Sequence, residues 1–304
     1  MIIGHQRQKS FLSNITATKK IPHALIFEGM AKLGKRTLAV NFIKQLFCEQ
    51  EKTCGRCRAC LSVDKEIHPD LFLISPQKKE IQIAQIKELA RRFSLKPYLS
   101  SFKVAIINDA HFMNSESQNS ILKILEEPVG HSVIILVTEN PEALLPTVRS
   151  RSQRIKFFPV DSQEIRTELQ TRGGKGQQLE EIILFSFGRP GLAIDFLLEP
   201  EKINYRREKI KEILQKTASD SPLHIRFQYA KELAAEPEKA KELLEIWLSY
   251  FRVLMLKKIM GIKKIKQSFT KIRDSLIKIE EANYLISRTN ANPKLILESL
   301  IVWT

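Results

Sequence analysis

Apolar and polar positions follow two regimes along the chain. Up to about residue 160, short apolar runs alternate with amphipathic stretches. ALIFE at 24–28, HPDLFLISP at 68–76, KVAIIND at 103–109, SVIILVTENP at 132–141 and RIKFFPV at 154–160 read as buried strands. Between the first two, KRTLAVNFIKQLF puts Leu38, Phe42, Ile43 and Leu46 at helical spacing, and IQIAQIKELARRFSL over 81–95 does the same with Ile83, Ile86, Leu89 and Ala90. SESQNSILKILEEP over 115–128 predicts a helix with Ser115 as N-cap and Pro128 as its stop. Such alternation indicates an α/β fold with a parallel sheet covered on both faces. Ligands of such sheets sit at the carboxyl ends of the strands. The Gly-rich turn after residue 28, Asn108-Asp109 and Thr138 all fall there.

Beyond about residue 160 the strands stop. A small helical unit follows, with a polar, Gly-containing connection at 172–178. From about 203 the pattern is nearly all helical. Leu243, Leu244, Trp247, Leu248, Phe251, Leu254 and Met255 form one stripe, which reads as core or subunit contact rather than a cofactor site. No internal repeat or low-complexity segment interrupts this order.

Composition adds limits. A chain of 304 residues has room for two or three domains. No apolar run reaches the length of a membrane span, and MIIGHQRQKSFLSN lacks a signal-peptide pattern, so a soluble cytoplasmic protein is expected. The net charge of +15 suggests a polyanionic partner, usually nucleic acid, although lysines on solvated helix faces also serve solubility alone. Between 252 and 273 stand Arg252, Lys257, Lys258, Lys263, Lys264, Lys266, Lys271 and Arg273, with no acidic residue. This run either faces DNA or an acidic partner, or is a solvated edge.

All four cysteines, Cys48, Cys54, Cys57 and Cys60, lie in CEQEKTCGRCRAC. A disulfide framework would spread them through the chain. Crowded into one knuckle, they suit a tetrahedral Zn²⁺ site with a structural role, since four thiolates leave no open position. An iron–sulfur cluster is the competing reading, but Leu61 stands where such runs often carry Pro. Arg56 and Arg58 would offset the charge of the thiolates. His68, close by, is not needed as a ligand.

FEGMAKLGKRTLA, from Phe27 to Ala39, nearly spells a phosphate-binding loop. Gly29, Gly34 and Lys35 fit the glycine–lysine pattern, but Arg36 replaces the hydroxyl that would ligate Mg²⁺. Thr37 is one residue late, a rotation of about 100° on a helix, and should point elsewhere.

IPHALIFEG, GKRTLA, the cysteine knuckle, HPDLFLI, VAIINDAHFMN, NSILKILEEP, VTENPEALLPTVRSRSQRI and GRPGLA, taken in order, resemble the delta-prime family of bacterial DNA polymerase III clamp loader subunits. The resemblance covers residues 1 to about 200 and fades beyond, where only helical character matches. It implies an AAA+ module over 1–160 with the cysteine insertion at 48–60, a helical lid over 161–202 and an all-α collar over 203–304. It also implies a five-membered ring, with tau/gamma and delta subunits as partners, that places the sliding clamp on primer–template DNA.

The family pattern further implies which residues have changed. Aligned on His111, the active D-E-x-H becomes Asn108-Asp109-Ala110-His111, so one Mg²⁺ carboxylate is lost. Active relatives carry a lid Arg at the position of Gly191, two residues after Arg189. Thr138 takes the place of a γ-phosphate sensor, and Gly4-His5 match a stretch near the adenine. Hydrolysis by this chain is not expected, while nucleotide binding without turnover stays open. Ser150-Arg151-Ser152 matches the Ser-Arg-Cys motif, so Arg151 is implied to be an arginine finger acting in trans. Two rivals remain at this point: an ATP-hydrolysing tau/gamma-type subunit, and a zinc-containing nucleic-acid-binding protein outside replication.

Overall fold

The structure, a computed structural model, describes all residues except 1, 51–52, 78, 218–220, 260, 262–266, 290 and 304. By contact the chain divides into two compact units. One comprises Met1–Glu168 with Gly188–Leu192, the other Leu169–Phe187 with Ala193–Thr304.

The first unit is built on five parallel strands: β1 (Ala24–Glu28), β2 (Leu71–Ile74), β3 (Lys103–Ile107), β4 (Ser132–Thr138) and β5 (Gln153–Lys156). Their spatial order is β2-β3-β4-β1-β5. Alternation along each strand sorts the side chains between two cores, because successive residues point to opposite faces. Leu25, Phe27, Val104, Ile106, Val133 and Ile135 pack under α1 (Gln6–Ala17), α2 (Lys35–Phe47) and α3 (Arg58–Asp64) through Leu12, Phe42, Ile43 and Val63. Ile26, Ala105, Ile107, Ile134 and Leu136 face α4 (Ile83–Phe93), α5 (Ser115–Glu126) and α6 (Pro146–Ser150) through Ile86, Leu89, Phe93, Ile121, Leu125 and Val148. Burial of each such large side chain is worth about 1.5–3 kcal/mol.

Element ends differ from the sequence pattern for local reasons. The helix over 115–126 is capped by Asn114, not Ser115: the Asn114 side chain accepts a hydrogen bond from Ser117 N, and Ser115 is already helical. β4 stops at Thr138, whose hydroxyl accepts from Asn140 N (3.1 Å). β5 ends at Lys156. Phe157 N still donates to Glu28 O (2.8 Å), but Pro159 has no N–H to continue the ladder.

β2 is shorter than HPDLFLISP because its first residues do other work. The buried His68 ring lies 4.5 Å from that of Phe47, and its Nδ1 accepts from Asp70 N. The Asp70 carboxylate, almost inaccessible, accepts from the N–H groups of Tyr98 (2.7 Å), Leu99 (2.8 Å) and Ser100 (2.9 Å). Burial alone would raise its pKa, but those donors and the Ser100 hydroxyl bring it below the usual carboxylate value. A carboxyl depressed by folding adds stability above its unfolded pKa, near 3.9, that is lost as pH falls through the folded value. Asp70→Ala should therefore cost about 1.5–3 kcal/mol at neutral pH, by removing the charged acceptor shared by three backbone N–H groups, and should lessen the loss of stability below about pH 4. Urea melts of both proteins at pH 7 and pH 3.5 check this.

The second unit is helical. It includes α8 (Gly176–Ser186), α10 (Pro200–Lys216), α11 (Leu223–Ala234), α12 (Pro237–Ile259), α13 (Phe269–Arg288) and α14 (Pro293–Trp303). The stripe on α12 is its core: Leu243, Leu244, Trp247, Leu248 and Phe251 are buried with Ile272 and Ile279 of α13 and Leu297 and Ile301 of α14. The remaining helices are α7 (Ser162–Thr171) and α9 (Pro190–Leu198).

Candidate nucleotide and metal sites

The sheet order puts β1 between β4 and β5, with the Gly-rich loop at its carboxyl end. This is the switch point at which open α/β sheets bind ligands. Gly29 N donates to Thr138 O (3.2 Å), which ties the loop to β4. Gly29 has φ 146°, and a Cβ there would lie 2.6 Å from Phe157 O, so no other residue fits. Gly34, at φ 93°, turns the chain into α2.

The chain itself engages the carbonyls of this loop. Lys35 is buried, and its Nζ donates to Gly29 O (2.5 Å) and Met30 O (2.6 Å). Burial lowers the Lys35 pKa, opposed by the nearby charges of Glu139 and Asp109. Gly191 N, at the start of α9, donates to Lys32 O (2.8 Å), and a Cβ on Gly191 would sit 2.9 Å from the same oxygen. His5 Nε2 donates to Leu33 O (2.7 Å), which assigns its proton to that nitrogen. Burial lowers the His5 pKa, and its ring meets Phe157 edge-on at 4.9 Å. Four loop carbonyls are thus held from within the unit.

The residues that the motif and the family resemblance align with Mg²⁺ ligands have other partners. Arg36 turns out to Glu66 (Nη2–Oε1 2.5 Å), just beyond α3, and Thr37 is exposed. Asn108 is buried, and its Nδ2 donates to Ser75 Oγ (3.3 Å). Asp109 adopts φ 49° at the turn after β3. Thr138 Oγ1 lies 3.3 Å from His111 Nδ1, so its hydroxyl is engaged locally. Mg²⁺ demands hard oxygen ligands in octahedral array. A guanidinium and an amide stand where a hydroxyl and a carboxylate would be needed.

Arg151 caps the short helix α6 and faces outward, its side chain 37% exposed. Its Nη2 pairs with Glu126 Oε1 (2.8 Å), and Nη1 donates to Thr147 O (3.3 Å). Buried Gln118 of α5 anchors the segment that carries it. Gln118 Nε2 donates to Met113 O and Ala143 O (3.0 Å each), while its Oε1 accepts from Leu145 N (2.6 Å). No sequence motif marks Gln118. Its signal was a polar residue three and seven positions before Ile121 and Leu125, on the face that α5 buries.

The four cysteines converge. Their Sγ atoms all lie within 4.8 Å of one another, and those of Cys48 and Cys54 are 3.7 Å apart. A tetrahedral site with Zn–S bonds of about 2.3 Å needs S···S separations of about 3.8 Å. Cys57 N donates to Cys54 Sγ (3.3 Å), and Cys60 N to Cys57 Sγ (3.4 Å). Backbone N–H groups of Arg56 and Cys57 lower the Cys54 thiol to about 6, whereas burial pushes that of Cys60 up to about 12. A buried thiolate is costly unless a cation meets it, so this donor set fits a metal that prefers sulfur. His68 lies outside the cluster.

A family model described as "DNA polymerase III, delta subunit" matches residues 4–161. The DNA polymerase III subunit delta' of Pseudomonas aeruginosa is 30% identical over 228 residues, covering 71% of this chain and 69% of that protein. The chain belongs to the delta-prime family of DNA polymerase III clamp loader subunits. The delta-prime subunit of Bacillus subtilis is 36% identical over 165 residues, covering 54% of this chain and half of that protein. The tau subunit of the same organism is 26% identical over 280 residues, covering 84% of this chain and half of tau. A solved Thermotoga maritima protein described as DNA polymerase III gamma subunit-related shares the fold, at TM-score 0.52 and 22% identity over 97% of each chain.

Membership in a clamp loader family sets the protein in DNA replication. The five-stranded parallel sheet covered by helices is the fold shared with the gamma-related protein, and the four-cysteine cluster is a possible metal site. Among the described residues no helix is long and apolar enough to cross a membrane. Of the basic run, Arg252 pairs with Glu280 (2.5 Å) and Arg273 with Asp274 (2.8 Å), while Lys263, Lys264 and Lys266 lie outside the described residues.

Proposed function

We propose that this chain holds the delta-prime position of a five-membered clamp loader ring, does not hydrolyse ATP itself, and donates Arg151 to nucleotide bound by a neighbouring tau/gamma subunit. Its partners are then tau/gamma and delta, the sliding clamp indirectly, and primer–template DNA, in the cytoplasm. In this reading residues 1–160 are the AAA+ module, 161–202 the lid and 203–304 the collar, and Cys48, Cys54, Cys57 and Cys60 hold a structural Zn²⁺.

One observation carries the reading. The phosphate loop is occupied by its own chain, with Lys35 on Gly29 and Met30 and the Gly191 backbone against Lys32, while Arg151 remains at the surface. A working phosphate loop needs its lysine on the β/γ-phosphates and a hydroxyl and an acid on Mg²⁺. Here Lys35 would first have to leave two carbonyls, and Arg36 and Asn108 supply neither Mg²⁺ ligand. A side chain at 191 would crowd Lys32 O, which also weighs against a lid arginine there. These features also weigh against the tau/gamma-type reading.

Titration of the isolated chain with a fluorescent ATP analogue tests the silent site. The expected result is no Mg²⁺-dependent binding and no phosphate release. Mg²⁺-strengthened binding with turnover would overturn the reading. Entry into a ring with cognate tau/gamma and delta subunits, followed by gel filtration, tests the assembly. Failure to co-elute would favour a nucleic-acid-binding role outside replication.

A further inference from the structure

The helix α5 ends on an acidic residue that its own electrostatics oppose. Glu126 is the last residue of α5, where exposed carbonyls make the helix end negative and disfavour a carboxylate. Its Oε1 is nonetheless fixed 2.8 Å from Nη2 of Arg151. Both side chains are solvent-accessible, 37% for Arg151 and 48% for Glu126, and exposed pairs of this kind contribute little to folding. The other arginines of this edge have separate partners: Arg149 pairs with Glu142, and Arg154 with buried Glu28 (2.8 Å). Glu126 therefore serves Arg151.

We propose that Glu126 is a positioning residue for Arg151, setting the direction in which the guanidinium leaves the surface. This rests on the reading of Arg151 as a finger in trans. One guanidinium N–H donates to Thr147 O (3.3 Å), and Nη2 lies in ion-pair contact with Glu126. The guanidinium, 37% exposed, keeps N–H groups for phosphate oxygens of a neighbouring subunit. A long side chain held in this way loses less freedom when the transition state forms. Gln118 fixes the base of α6, and Glu126 fixes the tip of Arg151.

The test uses rings reconstituted with cognate tau/gamma and delta subunits, comparing equal amounts of assembled complex. Glu126→Ala should lower kcat for ATP at the neighbouring site by about tenfold, with KM unchanged within about twofold. Glu126→Gln, which keeps an acceptor on Arg151, should recover most of that loss. In an Arg151→Ala background, Glu126→Ala should have no further effect, the coupling expected of two residues acting as one unit. An unchanged or raised kcat in Glu126→Ala, or an equal loss in the Arg151→Ala background, overturns the positioning role alone. An unchanged rate in Arg151→Ala overturns the finger reading and this proposal with it.

Discussion

Replacing Arg151 by alanine should lower hydrolysis at the adjoining tau/gamma site by about 10³-fold, the lower end of what an arginine finger contributes. The reason is electrostatic. Charge grows on the transferred phosphoryl oxygens, and a guanidinium already aimed at them stabilises the transition state without reorganising. The measurement is ATP turnover by rings in which the other tau/gamma sites are disabled, so that the site beside this chain is read alone. Arg151→Lys should recover little, because a point charge does not reproduce the planar fork. The fold should be untouched, since the Arg151 side chain is more than one-third exposed and its ion pair with Glu126 lies at the surface. A rate within about twofold of the unsubstituted ring would show that hydrolysis at that site does without this residue.

With the proposed Zn²⁺ on the four cysteines, its removal should be the largest single insult to stability. The knuckle is not a free appendage. Cys60 and Val63 are fully buried, and Ala59 and Val63 of α3 pack with Phe42 and Phe47 of α2 in the core beneath the sheet. Arg36–Glu66 and Lys44–Asp64 ion pairs tie the same helices together at the surface. Loss of the ion would leave four sulfurs crowded within 4.8 Å, one of them a buried thiol, without the cation that would join all four. Binding energy at a structural site of this kind is folding energy. Chelation should lower the melting temperature by about 10 °C or more, and Cys60→Ser should do the same without chelator. One zinc per chain, released on thiol modification and read with a chromogenic chelator, identifies the ion. Visible charge-transfer absorbance would instead favour iron–sulfur. Because thiolates would be the ligands, retention should weaken as pH falls.

Much of this could be read directly from the chain. Strand runs such as ALIFE and KVAII are nearly all apolar, broken only by Glu28 and Lys103 at their ends, because both faces are covered, and that implied a parallel sheet between helices. Clustering of Cys48, Cys54, Cys57 and Cys60 within one short stretch implied a common ligand, since chain proximity already brings such residues together. That Arg36 offers no hydroxyl and Asn108 no carboxylate was likewise a matter of residue type. Local spacing and chemistry determine such features, and both are written in the order of residues.

What tertiary structure alone decided was where those residues point. Arg36 could have reached toward phosphate, but Glu66, thirty residues away, draws it outward. Lys35 is a phosphate ligand by type, yet two loop carbonyls hold its amine. Gly191 is a missing arginine in the sequence and, in space, a backbone donor pressed against Lys32, 159 residues earlier in the chain. Gln118 and Glu126 showed no motif of their own, because their partners Leu145 and Arg151 lie 27 and 25 residues away. A side chain's direction depends on its competing partners, and those partners become neighbours only after β1 has taken its place between β4 and β5. Residue types and local periodicity therefore determined the layers and the candidate chemistry, while long-range hydrogen bonds and ion pairs decided that the loop carbonyls are held from within and that Arg151 lies at the surface beside Glu126.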